Sequence, residues 1–379
     1  MADKKEMTAQ TASVGADAGQ SLTIKNTTII PEISKEFNGE SDYFETFPNI
    51  NDPHFLPVIS MATLYETAYE SKPPIIDGIL YSGTYLFAGA PKLGKSFLML
   101  QLGYHVSTGQ PLWGYDLRQG TVLYLALEDD FPRLQSRLYR MFGTDAAKNL
   151  YLSTWVKQTG AGLEEQVEGF VAVHPDTQLV IIDTLQRVRP AGSDRYSYAS
   201  DYEIITGLSN LAAKLGICLL IVHHTRKQQA DDKFDMISGT NGLLGAADGA
   251  FILEKDKRTE KVATLEITGR DQQEQRLHLE HDPETLLWTL QRAETQLWVQ
   301  PPEPVLQMVA DFITAENPSW CGSPTDLALV LGIDMKPNQL STKLNVNAQR
   351  LFNDYNIRYQ NSRSHAGRRI SLQLISSEA

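Results

Sequence analysis

Eight residues, Gly89-Ala90-Pro91-Lys92-Leu93-Gly94-Lys95-Ser96, have the spacing G-x-x-x-x-G-K-[ST] of a phosphate-binding loop. A chain of phosphates needs several backbone N–H groups turned inward at once, and glycine allows the backbone angles that this demands. The lysine reaches the terminal phosphates, the serine hydroxyl holds Mg²⁺, and a helix starting at the lysine aims its positive end at the anion. The expected nucleotide contacts are therefore Gly89, Ala90, Pro91, Lys92, Leu93, Gly94, Lys95 and Ser96, with Phe97 directly after them. ATP and Mg²⁺ are the expected cofactors. The context fits, because an apolar strand (Thr84–Ala88) leads into the loop and a helix (Lys95–Tyr104) leads out.

Asp183 ends the apolar run Leu179-Val180-Ile181-Ile182. A carboxylate at the carboxyl end of a buried parallel strand faces the ligand crevice, so Asp183 is the second expected Mg²⁺ residue beside Ser96. Thr184 follows it, where many such enzymes carry a catalytic glutamate. The base that activates water must then come from elsewhere. Glu128 is the candidate, as the first residue past the strand Val122–Leu127, with Asp129 and Asp130 as rivals. A helix starting near Pro132 would use Asp130 as its cap instead.

The elements that must position these groups alternate. After the first loop come a strand (Thr121–Leu127), a helix (Leu163–Val173), a strand (Leu179–Ile182), a helix (Tyr202–Leu215) and a strand (Ile217–Val222). Strands that are apolar on both faces, separated by helices, predict an α/β fold whose parallel sheet is covered on both sides. Four further runs, Gly249–Leu253, Val262–Thr268, Arg276–Glu280 and Leu286–Leu290, predict consecutive antiparallel strands that complete the sheet.

Flanking segments differ in character. Residues 1–55 are polar and acidic without sustained periodicity, which predicts disorder. A short amphipathic segment (Ser60–Glu66) puts Met61, Leu64 and Tyr65 on one helical face, and Pro73 and Pro74 follow. Its position suggests docking on a neighbouring subunit. Residues 56–296 form the expected nucleotide-binding domain. Residues 297–304, with Pro301, Pro302 and Pro304, read as a linker. Residues 305–379 hold three predicted helices (Val305–Ala315, Ser323–Leu331, Gln339–Asp354) and a strand pair (Ile357–Gln360, Arg369–Leu374). That pattern predicts a winged helix-turn-helix.

A net charge of −12 argues against uniform coating of nucleic acid. From Lys336 onward, however, seven Lys/Arg stand against two acids. In that region Gln339, Lys343, Asn347 and Arg350 fall at helical spacing, and Arg363, Arg368 and Arg369 lie in a basic hairpin. These residue types suit a recognition helix and a wing on duplex DNA. No run is long and apolar enough to cross a membrane. The N-terminus lacks an apolar signal core, and Cys218 and Cys321 form no metal or redox motif. A cytoplasmic protein is expected.

The loop, the glutamate after the adjoining strand and the lone strand-end aspartate resemble the RecA superfamily, which includes KaiC-like, RadA-like and DnaB-like ATPases. Further segments resemble the RepA-type hexameric helicases of plasmids and mobile elements: Tyr124-Leu125-Ala126-Leu127-Glu128-Asp129, Val222-His223-His224-Thr225-Arg226-Lys227, Ser238-Gly239-Thr240 and Ile267-Thr268-Gly269-Arg270. The resemblance covers about residues 56 to 295 and implies a RecA-like sheet in a ring that moves DNA through a central channel. It implies that His224 senses the γ-phosphate and that Arg270 reaches the neighbouring subunit's nucleotide. Thr268 stands where some members carry a second, lysine finger. The loops Arg226–Ser238 and Arg187–Arg195 would line the channel, with Arg226, Lys227 and Lys233 on single-stranded DNA. Asp231, Asp232 and Asp235 weigh against that role.

Three functions stay open at this level. The first is a ring-forming replicative DNA helicase, as a homo-hexamer with no membrane partner. The second is a DNA-binding ATPase that does not unwind, such as a loader, recombination mediator or regulator. The third is a KaiC-like signalling ATPase acting on proteins.

Overall fold

The computed structural model describes residues 56, 58–69, 73–190, 198–225, 234, 237, 242–255, 257, 260–270, 272–294, 301–364 and 367–375. All of them belong to one compact unit, Asn38–Ala379. The expected disorder of residues 1–55, the motif Ser238-Gly239-Thr240, residues 191–195 of the second channel loop, and Arg226, Lys227, Asp231, Asp232, Lys233 and Asp235 lie outside the described residues.

The chain opens with a one-and-a-half-turn helix, α1 (Met61–Glu66), capped by the Ser60 hydroxyl, which accepts the Thr63 N–H at 3.1 Å. A strand, β1 (Gly83–Gly89), then feeds the helix α2 (Lys95–Thr108). There follow β2 (Thr121–Ala126), α3 (Phe131–Phe142), β3 (Leu150–Ser153), α4 (Leu163–Val173), β4 (Thr177–Asp183), a single turn α5 (Leu185–Val188), α6 (Tyr198–Leu215) and β5 (Cys218–His224). After the short α7 (Gly242–Ala246) come four strands: β6 (Gly249–Glu254), β7 (Val262–Gly269), β8 (Gln275–His281) and β9 (Trp288–Ala293).

These nine strands form one sheet in the order β3-β2-β4-β5-β1-β6-β7-β8-β9. The strands from β3 to β6 run parallel, and β7, β8 and β9 add on antiparallel. The antiparallel part thus begins one strand later than the periodicity suggests. The reason is that β6 joins the free edge of β1 after a crossover through α7, rather than by a hairpin from β5. Apart from the edge strand β3, the parallel strands are buried on both faces, which is why they read as continuous apolar runs. Tyr85, Phe87, Tyr124, Leu179, Ile181, Leu220 and Val222 face one core, which α2 covers. Leu86, Ala88, Leu123, Val180, Ile182, Leu219 and Ile221 face the other, beneath α4, α5 and α6.

A third core lies in residues 305–374, with Ala68 packed against it. It is built from α8 (Pro304–Phe312), β10 (Ser319–Gly322), α9 (Pro324–Val330), α10 (Pro337–Val346), α11 (Ala348–Tyr355), β11 (Ile357–Ser364) and β12 (Gly367–Leu374). The strands make a separate antiparallel sheet in the order β10-β12-β11. Proline occupies the first helical position of α8, where its missing N–H costs nothing. A capping box, Ser323 with Asp326, starts α9.

The expected helix Gln339–Asp354 is two helices. Asn347 (φ −105°, ψ 15°) leaves the helical region, and its amide donates to the Lys343 carbonyl at 2.8 Å, closing α10. Gln339, Lys343, Asn347 and Arg350 therefore do not share one continuous helical face.

Candidate active site

Strand parity assembles the site. Side chains alternate across a strand, so the positions that continue Tyr124, Ile181 and Val222 on the α2 face are Asp183 and His224. Both end their strands beside the start of α2. In register, Gly89 lies opposite His224, and Ala126 lies opposite Asp183. The loop between β1 and α2 takes its turn with Lys92 at φ 65° and Gly94 at φ 97°, and Gly94 is the residue that caps α2. A Cβ at Gly89 would stand 2.6 Å from the Leu253 carbonyl of the adjoining strand, so the sheet itself requires glycine there.

Lys95 is 5% exposed. Its ammonium donates to the carbonyls of Gly89 at 2.8 Å and Ala90 at 3.0 Å, and Nδ1 of His224 lies 3.1 Å away. Burial pulls its pKa down to about 8, against the opposing pull of the Asp183 and Glu128 carboxylates. Burial and then the Lys95 charge lower the pKa of His224, which favours a neutral ring able to accept from the ammonium. His223 points to the opposite face, where burial and the Arg189 guanidinium push it down to about 4. Arg189 there makes a buried ion pair with Asp201 at 2.6 Å.

Asp183 receives two hydroxyl donors on the same Oδ2 atom: Ser96 Oγ at 2.8 Å and Tyr124 Oη at 2.8 Å. Burial raises its pKa, and these two hydrogen bonds oppose the rise. The Ser96 hydroxyl and the Asp183 carboxylate are hard oxygen donors held side by side, the chemistry that Mg²⁺ prefers, and they fit that ion. Glu128 sits in the turn past β2, and its Oε1 accepts the Thr184 hydroxyl at 3.1 Å. Of its rivals, Asp130 caps α3 by accepting the Arg133 N–H at 2.8 Å. Asp129 is paired with Arg133 at 3.1 Å and with Arg137.

Lys95, Ser96, Asp183, Glu128 and His224 are thus one cluster at the carboxyl ends of β1, β2, β4 and β5. Phe97 stands beside it, 5.7 Å from the His281 ring and 5.2 Å from the Arg137 guanidinium. A cleft of about 250 Å³ runs along the loop past Ala90, Pro91, Lys92, Leu93, Leu253 and Lys255. The larger hollow, about 600 Å³, lies between α3 and β3 and touches none of the clustered residues.

Arg270 is not part of the cluster. It follows β7 at the end where Gly269 pairs with Gly249, and Gly249 pairs with Tyr85, four residues upstream of Gly89 on β1. At about 3.3 Å per residue the two ends are roughly 13 Å apart along the strand. Arg270 is 61% exposed and lies 3.5 Å from Asp248.

Three supports escaped the sequence. Tyr124 is a fully buried phenol in an apolar strand, and a buried hydroxyl needs a partner, which was the available signal. Thr184 holds Glu128 from the position just past the strand-end aspartate. Trp288, at the start of β9, donates from Nε1 to the Gly94 carbonyl at 3.3 Å. Its backbone N–H and C=O are both bonded by the Gln101 side chain of α2, at 2.8 and 2.9 Å. The far antiparallel strand therefore buttresses the phosphate loop.

Among the basic residues expected on DNA, several have partners within the chain. Lys343 pairs with Glu303 at 2.7 Å, Arg350 with Asp354 at 3.1 Å and with the Pro301 carbonyl at 2.8 Å, and Arg368 with Glu66 at 2.9 Å. Arg369 is exposed on β12 and donates to the Cys321 sulfur at 3.1 Å. Arg363 lies on β11, and its side chain is outside the described residues. Among the described residues no helix is long and apolar enough to cross a membrane.

Residues 56–230 match the family model of an AAA domain. The DNA repair protein RadA of Streptococcus pneumoniae (strain ATCC BAA-255 / R6) is 27% identical over 153 residues, 40% of this chain. The chain spans only about a third (32%) of that relative's length. Among solved structures, an isolated ATPase domain is 16% identical with a TM-score of 0.47, covering 55% of this chain and 84% of that one. A DnaB-like replicative helicase, solved in a study of its interactions with primase, is 17% identical with a TM-score of 0.47, covering 55% and 57%. The glycine-bounded loop with its buried lysine, the strand-end aspartate bonded to the loop serine and the match to an AAA domain together give residues 56–230 the character of a P-loop nucleotide-binding domain.

Proposed function

We propose that this chain is an ATP-driven DNA motor that works as a ring, of the RepA-like replicative helicase type found on plasmids and mobile elements. The observation that carries the reading is the division of labour across the sheet. One end gathers Lys95, Ser96, Asp183, Glu128 and His224, and the exposed Arg270 stands at the other. An arginine placed there is out of reach of its own loop, which supports a role at a neighbour's nucleotide.

In this scheme the loop amides and the Lys95 ammonium hold the β- and γ-phosphates of ATP, displacing the lysine from the carbonyls of Gly89 and Ala90. Ser96 and Asp183 would hold Mg²⁺, which neutralises charge developing on the phosphates. Glu128, oriented by Thr184, takes a proton from the attacking water. Arg270 of a neighbouring subunit stabilises the transferred phosphoryl group with its planar fork. His224, in contact with Lys95, carries the state of the γ-phosphate to the chain beyond β5, where Arg226, Lys227 and Lys233 meet single-stranded DNA, as the loop Arg187–Arg195 does. A homo-hexamer is the expected assembly. Residues 305–379 serve as a winged helix for duplex DNA: the order helix, strand, three helices, two strands and the sheet order β10-β12-β11 support this reading.

A second reading, a DNA-binding ATPase that does not unwind, draws on the intrachain pairing of Lys343, Arg350 and Arg368, which reduces the free cationic surface. The RadA relative, a DNA repair protein, also suits it. ATP turnover with and without single-stranded DNA, measured with particle mass by light scattering and with strand displacement on a forked duplex, tests both. Stimulated turnover, a ring-sized particle and displacement are expected. A stimulated ring without displacement supports the second reading, and an unstimulated monomer contradicts both.

A further inference from the structure

We propose that Asn345, Asn361 and Arg368 form a phosphodiester-binding site on residues 305–379, and that the end of α1 occupies it in competition with DNA. Three donors from three elements converge on the last residues of α1. Asn345 of α10 donates through Nδ2 to the Tyr65 carbonyl at 2.8 Å. Asn361 of β11 donates through Nδ2 to the Glu66 carbonyl at 3.4 Å. Arg368 of β12 holds the Glu66 carboxylate at 2.9 Å.

The Asn345 amide is fixed, not free to turn. It is 2% exposed, and its Oδ1 accepts both the Tyr359 hydroxyl at 2.8 Å and the Asn361 Nδ2 at 3.0 Å. With its oxygen facing two donors, its nitrogen must face α1. The three donors line the cleft between α10 and the β11–β12 hairpin. What fills that cleft is a carboxylate and two carbonyl oxygens, an acceptor set with the charge and the oxygen-rich character of a phosphate diester.

The grip on α1 is of a kind that can be exchanged. None of the six helical residues is buried, and Met61, Leu64 and Tyr65 are 66%, 44% and 42% exposed. The helix thus buries no apolar side chain of its own, Ala68 just beyond it packs on the third core, and the polar bonds that hold the helix end are ones that phosphate oxygens can replace. A solvent-accessible ion pair contributes little net stability. In the winged-helix reading, on which this proposal rests, the cleft between the second helix of the pair and the hairpin faces the duplex backbone. Phosphate contacts there position the protein without reading sequence.

The test uses the full chain and a short fluorescent duplex, with affinity read by anisotropy at fixed salt. Glu66→Gln removes the carboxylate and leaves Asn345, Asn361 and Arg368 in place. The dissociation constant is expected to fall about two- to fivefold, the range of a partly exposed ion pair. Hydrogen exchange of residues 61–67 is expected to speed up when the duplex is added to the parent protein. Arg369→Glu, on the hairpin but outside the contact with α1, is the control for the reading beneath. If it leaves affinity unchanged, this unit does not bind DNA and both ideas fall. If it weakens binding while Glu66→Gln matches the parent and exchange at 61–67 ignores DNA, α1 is a fixed brace. In that case the competition alone is overturned.

Discussion

In the proposed scheme Lys95 is the residue on which nucleotide binding turns, and its environment sets a pH limit. Burial holds its pKa at about 8 in the nucleotide-free protein, while the phosphates require the ammonium form. Binding therefore takes up a proton above that pH. Affinity for ATP should be level below pH 8 and then weaken by up to about tenfold per pH unit, as linkage demands. Fluorescent-nucleotide titrations between about pH 7 and 9.5 would read this directly; a constant affinity to about pH 9.5 would contradict the assignment. The same shift acts on folding with the opposite sense. The unfolded chain holds the extra proton between pH 8 and the usual 10.5, so the lysine's contribution to stability rises with pH across that window. The sequence made Lys95, Ser96, Asp183 and Glu128 legible because loop spacing and strand ends are one-dimensional signals. Tyr124 and Thr184 were not legible as parts of the site. Each acts through a partner more than fifty residues away in the chain, and only the pairing of β2 with β4 brings those partners together.

At the level of elements, the phosphate loop rests on a strand that lies at the far edge of the sheet. Gln101, 4% exposed, bonds both backbone groups of Trp288, and Trp288 closes on Gly94. Gln101→Leu would leave a buried N–H and weaken the hold on a carbonyl that Trp113 also bonds at 2.8 Å. Each buried polar group left unsatisfied costs about 1–3 kcal/mol. Stability should fall by about 2 kcal/mol or more in denaturant titration, with weaker nucleotide retention; a loss under about 0.5 kcal/mol would show that the buttress is incidental. The alternating strands and helices were readable from periodicity because both faces of the parallel sheet are buried. The direction of β6 was not, since a strand's apolar pattern carries no information on which edge it joins. The break at Asn347 was hidden for a related reason: α10 and α11 bury apolar residues on both sides of it, so the periodicity reads through the interruption.

For the whole molecule, the decisive feature is that Arg270 and the phosphate loop lie toward opposite ends of the strands of one sheet. One chain cannot complete its own site in the proposed scheme. Arg270→Ala should lower ATP turnover by a factor of about 10³ or more, the size of an arginine-finger contribution. Mixing it with a Glu128→Gln protein should restore part of the activity, because some interfaces would then pair an intact loop with an intact arginine. Additive, unrestored rates at every mixing ratio would rule out shared sites. Beneath that lies the claim that Glu128 primes the water in a site where Asp183, Ser96 and Lys95 already hold the nucleotide. Glu128→Gln, assayed by steady-state turnover alongside ATP binding, tests it most directly. Turnover should drop by about 10²-fold or more while ATP is retained near the parent affinity. Parental turnover in that variant would contradict it.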